Sequence, residues 1–88
     1  MEKDYGKELS EQTKIWSDKI KVEIEGIKLV NKDKRNFLEN VQAYIQDSEY
    51  FFEQGDLVRA FEAIIWAWSW LEIGKEEKIL GQPRTIVA

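Results

Sequence analysis

The tripeptide Gln54-Gly55-Asp56 constrains this chain more than any other feature. Glycine takes the left-handed backbone conformation that ends helices at little steric cost. Aspartate is a strong N-cap, and its carboxylate favours the positive end of the helix dipole. Two amphipathic stretches meet here with only two or three residues between them. So short a connection forces neighbouring helices into an antiparallel hairpin.

The stretch before the turn reads as a helix from about 34 to 54. Phe37, Val41, Tyr44, Ile45, Ser48, Phe51 and Phe52 form its core-facing stripe. Glu39, Gln42, Gln46, Glu49 and Glu53 form a wholly polar stripe opposite. The stretch after the turn reads as a helix from Leu57 to Ile73, or on to Glu77. Its main apolar face is Leu57, Ala60, Phe61, Ile64, Ala67, Trp68 and Leu71. Gly74 or Gly81 is placed to end it. The same spacing fits a single tetratricopeptide-like helix pair, but one such unit makes no solenoid.

A third helical pattern precedes the hairpin, from about Leu9 to Leu29. Leu9, Trp16, Ile20, Ile24 and Ile27 share one face, and Ile15, Val22 and Leu29 make a seven-spaced line beside it. Ser10 is a suitable N-cap, as is Asp4 if the helix begins earlier. Gly26 weakens the last turn. The polar run 31–34 is the break between this helix and the next. The expected architecture is all-α, a three-helix up-and-down bundle in which a long first helix joins a tight antiparallel hairpin. Residues 1–77 make the bundle and 78–88 a C-terminal tail, with Pro83 as a breaker. Ile79, Leu80, Ile86 and Val87 can dock, though the sequence does not say where.

The chain has 88 residues, enough for one domain and a modest core. It holds no cysteine and no histidine. Disulfides, thiolate nucleophiles and Cys/His metal sites are therefore excluded, and the commonest neutral-pH base is missing. No catalytic motif, no cofactor and no metal site is expected. No apolar run approaches the ~18 residues of a membrane span, so a cytoplasmic location without a membrane partner is expected.

Charge is unevenly spread. Residues 1–35 carry +1, residues 36–77 carry −7 and residues 78–88 carry +2. The acidic hairpin argues against nucleic acid, whose phosphates need Lys and Arg. Lys28, Lys32, Lys34 and Arg35 form one short basic cluster at the first break. Weak RNA association would have to use it.

The third helix carries a second apolar line. At about 100° per residue, Trp66, Trp70 and Ile73 lie nearly opposite Ile64, Trp68 and Leu71. Only an arc holding Glu62, Ser69 and Glu72 is plainly polar. A central helix touching both others requires such a wide apolar arc. An association surface requires it too, since Trp clusters mark interfaces. Trp66, Trp70 and Ile73 are thus the candidate interface for a homodimer or another protein. A small-ligand or carboxylate-metal enzyme using Asp47, Tyr50 and Glu62 is the alternative, with Glu72 as a further half-buried acid. At the hairpin turn, Asp47, Tyr50, Asp56 and Arg59 are a candidate polar network.

The run from Tyr44 through Gly74 resembles a family of short archaeal proteins known as domain of unknown function 357. Asp47-Ser48-x-Tyr50-Phe51, Gly55-Asp56-x-x-Arg59-Ala60 and Ala67-x-x-Trp70-Leu71-x-x-Gly74 carry the likeness. It is specific over about 43–74 and loose over the first helix. The resemblance implies a three-helix up-and-down bundle, arranged like the bacterial immunoglobulin- and albumin-binding domains, and an archaeal origin. It implies no activity and transfers no functional residue. The function that remains is that of a protein–protein interaction or assembly module.

Overall fold

The computed structural model describes residues 4–81. Helix α1 runs Tyr5–Glu25, strand β1 Lys28–Leu29, helix α2 Arg35–Glu53, helix α3 Leu57–Glu76 and strand β2 Leu80–Gly81. A 3₁₀ turn at Lys32–Lys34 leads into α2. The three helices form the expected up-and-down bundle.

Asp4 caps α1, accepting the Lys7 amide at 2.9 Å, so the helix begins a turn before Leu9. It also ends earlier than its apolar pattern. Gly26 is the C-cap, and Lys28–Leu29 leave the helix to pair antiparallel with Leu80–Gly81. The amides of Val30 and Asn31 both donate to the Ile79 carbonyl, at 2.8 and 3.1 Å. A distant segment thus satisfies backbone groups that a longer helix would have satisfied itself. That competition is invisible to periodicity.

Helices α2 and α3 end alike. The Gly55 amide donates to Phe52 and the Asp56 amide to Phe51, with Gly55 at φ 79°. The Lys78 amide donates to Lys75 and the Ile79 amide to Gly74, with Lys78 at φ 60°. Both are Schellman motifs. Asp56 then caps α3 by accepting the Arg59 amide at 3.2 Å.

Gly74 does not end α3. Leu80 packs on it so closely that a Cβ at 74 would lie 2.6 Å from Leu80 Cδ1. The glycine is there to admit that side chain. Ile79 and Leu80 are both buried in the core. The first residues of the expected tail, Ile79 and Leu80, thus pack with the bundle, while Pro83, Ile86 and Val87 lie outside the described residues.

Helix α3 is the central element. Its buried Ile64, Ala67 and Leu71 meet Ile20 of α1 and Val41 and Ile45 of α2. Ala60, Ala63, Ala67 and Gly74 are all buried, and small side chains let the helices close in. Ser48 sits in the α2–α3 seam, its hydroxyl donating to the Ala60 carbonyl at 2.7 Å.

The α1–α3 seam keeps a fixed offset. Trp16 meets Trp68 and Glu23 meets Lys75, each pair 52 residues apart. A constant offset over one heptad is the register of parallel helices. The Trp68 indole donates to the Trp16 carbonyl at 3.1 Å, and the rings meet edge to face at 5.8 Å. On the other side, Phe37 of α2 meets Trp70 edge to face at 4.9 Å.

Two predictions follow from these contacts. Leu80→Ala should cost about 2–4 kcal/mol, the usual penalty for emptying a buried leucine site. Urea denaturation would read it, and a change under about 0.5 kcal/mol would mean that residue 80 is not docked. The second concerns Lys75, whose hydrogen bond to Glu23 raises its pKa above 10.5, while burial opposes the shift. A raised cation stabilises the fold fully below its unfolded pKa and loses that stabilisation as pH rises through the folded one. The stability gap between the natural chain and Lys75→Met should therefore hold through neutral pH and shrink above about pH 10.5. A gap independent of pH would remove the charge from the explanation.

Candidate functional site

The outward side of α3 carries the most distinctive surface among the described residues. Val58, Ile65, Trp66 and Ile73 are 66%, 40%, 52% and 50% exposed. Val58 and Ile65 lie on one line of the helix and Trp66 and Ile73 on another beside it, with Glu62 and Ser69 between. Phe61, Glu62 and Ser69 share with Val58, Ile65 and Trp66 a shallow, largely apolar depression. Trp66 is not loose. Its ring stacks on Tyr44 of α2, with centroids 6.2 Å apart and planes 23° from parallel. Ser69 turns its hydroxyl back to the Ile65 carbonyl at 2.9 Å, which leaves the exposed Glu62 carboxylate as the main polar group of this face.

The expected interface of Trp66, Trp70 and Ile73 is divided by the fold. Trp66 and Ile73 point outward. Trp70 is half-buried against Phe37 and the core. Val58 and Ile65 take its place on the exposed face. The sequence held a signal for them, since 58 to 65 and 66 to 73 are both seven-residue steps.

The expected polar network at the turn is smaller than four residues. Asp56 and Arg59 pair at 3.6 Å, and the Arg59 guanidinium lies 5.8 Å above the Phe51 ring. Tyr50 meets Phe51 edge to face at 5.5 Å but is itself 60% exposed. Asp47 is exposed and forms no hydrogen bond or ion pair among the described residues. The Asp56–Arg59 pair fixes the turn by capping α3 rather than by building a pocket.

The acids weighed for catalysis are dispersed. Asp47, Glu62 and Glu72 are all exposed, not half-buried. Among the described residues, no three acidic side chains gather as a metal site would need. A cleft of about 200 Å³ lies between α1 and α2, lined by Thr13, Ser17, Ser48 and Phe52 and rimmed by charges such as Lys14 and Glu53. Lys21 and Glu49 pair across it. The buried Thr13 hydroxyl has no hydrogen-bond partner among the described residues. Here α1 and α2 stand apart, and small polar side chains line the gap between them. Lys28, Lys32, Lys34 and Arg35 are exposed around β1 and the 3₁₀ turn. Among the described residues, no helix is long and apolar enough to cross a membrane.

The comparisons agree with this picture of a small helical domain. The family model described as "Protein of unknown function (DUF357)" matches residues 11–80. The crystal structure of protein AF1782 from Archaeoglobus fulgidus, assigned to the same family model, is 42% identical in sequence. The two superpose with a TM-score of 0.84, covering 91% of this chain and 100% of that one. No curated protein matches. The match over most of the chain, with a solved fold at this identity, places the protein in the DUF357 family.

Proposed function

We propose that this chain is a protein–protein interaction or assembly module and that the outward side of α3 is its docking face. One observation carries the reading. Four large apolar side chains on the outward arc of one helix, at 58, 65, 66 and 73, flank Glu62 and Ser69 and are each 40% or more exposed. Scattered exposed hydrophobics need no explanation, but a set gathered on one helix face with a tryptophan at its centre is the composition of an interface core. Trp66 is already held by Tyr44, so it loses little side-chain freedom on binding.

The small-ligand alternative has weaker support. Asp47, Tyr50 and Glu62 are exposed and share no site. Among the described residues, the α1–α2 cleft offers one unpartnered hydroxyl, on Thr13, which selects no ligand chemistry. The RNA alternative rests on four exposed cations beside Asp33, against an acidic hairpin.

The test is Ile65→Glu combined with Ile73→Glu. Both residues point outward, so helicity by circular dichroism should be unchanged and stability should move by less than about 1 kcal/mol. Capture of a second copy, or of another chain from the source extract, should fall at least tenfold relative to the natural protein. Equal capture by both forms, or none by either, would remove this face from any interaction role.

A further inference from the structure

We infer that the partner on the α3 face is a second copy of this chain, docked antiparallel about a two-fold axis passing between Ile65 and Trp66. This rests on the interaction reading above and names its occupant. The exposed apolar residues at 58, 65, 66 and 73 are separated by seven, one and seven positions. That set is the same read in either direction. At about 100° per residue, Val58 and Ile65 lean to one side of the stripe, and Trp66 and Ile73 to the other.

Antiparallel packing across a two-fold axis sets a residue leaning one way beside a residue leaning the other. Val58 then lies beside Ile73 of the second copy, and Ile65 beside Trp66. Every exposed apolar side chain gains an apolar neighbour, as an isologous interface requires. Trp66 falls at the centre, where interface anchors concentrate.

Charge selects the same register. With the axis between 65 and 66, Glu62 lies beside Ser69 of the second copy. An axis at Ala67 would bring Glu62 against Glu72 and Val58 against Glu76. A parallel pair would bring Glu62 against its own counterpart. Each alternative sets carboxylate on carboxylate or on an apolar side chain, which disfavours it. The register that matches the apolar pattern is also the one that keeps acids apart.

The size suits a reversible contact. Val58 to Ile73 spans about 22 Å of helix. Two helices packed over that length bury roughly 600 Å² per partner, the small end of specific interfaces.

The absence of cysteine from the whole chain makes the register directly measurable. Val58→Cys and Ile73→Cys, purified separately, should give little product with a short bismaleimide crosslinker. In each case the two thiols lie about 22 Å apart along the helices. Mixed, they should crosslink at least tenfold more, because 58 faces 73 of the other copy. Ile65→Cys alone should crosslink readily, being next to the axis. Efficient product from Val58→Cys alone would overturn the antiparallel register. No product from any combination at millimolar protein would overturn the second copy as occupant. In that case, a partner whose capture the Ile65→Glu/Ile73→Glu variant abolishes would leave the interaction reading standing.

Discussion

The close approach of two helices to α3 is the constraint on which the rest of this structure depends. A three-helix bundle usually shares its core among three seams. Here α1 and α2 face each other across the buried polar side chains of Thr13, Ser17 and Ser48, so burial of apolar surface falls on the two seams with α3. Ala60, Ala63 and Ala67 keep that helix narrow enough for both neighbours. Large residues then interleave from each side, Trp68 against Trp16 and Trp70 against Phe37. The hydrophobic area lost by using alanines on α3 is recovered by the aromatic rings around them.

The same constraint reaches the end of the molecule. Gly74 continues the line of small residues on α3, and the space it leaves is filled by Leu80 after the chain reverses at Lys78. Leu80 in turn brings Gly81 alongside Lys28. One glycine therefore links the last turn of α3 to the end of α1, which is why α1 stops at Glu25 although its apolar pattern runs on. The short β pairing is a consequence of side-chain packing rather than of strand propensity.

Much of this was legible in the sequence. Gln54-Gly55-Asp56 specified the hairpin, and the Gly55 conformation and Asp56 cap are those the residue types require. The central role of α3 followed from apolar residues around most of its circumference. The place where Ile79 and Leu80 dock was not legible, because it depends on a contact between segments fifty residues apart and on a lysine in a left-handed conformation. The candidate interface was half legible. A helical wheel places Trp66, Trp70 and Ile73 together, but it cannot know that Phe37 of α2 draws Trp70 inward. Val58 and Ile65 were overlooked because their seven-residue step sits between the core face and the polar arc. The four-residue polar network failed for a different reason: Asp47 and Tyr50 share an end of the hairpin with Asp56 and Arg59 but not a direction.

With a second copy docked, α3 has three occupied sides, α1 and α2 within the chain and the second copy outside it. Sedimentation equilibrium of the unaltered protein, over a wide range of concentration, tests that most directly. The predicted result is a reversible rise in mass from the 10.4 kDa of one chain to twice that value. A mass of 10.4 kDa at every concentration would contradict it and leave the outward side of α3 without its proposed neighbour.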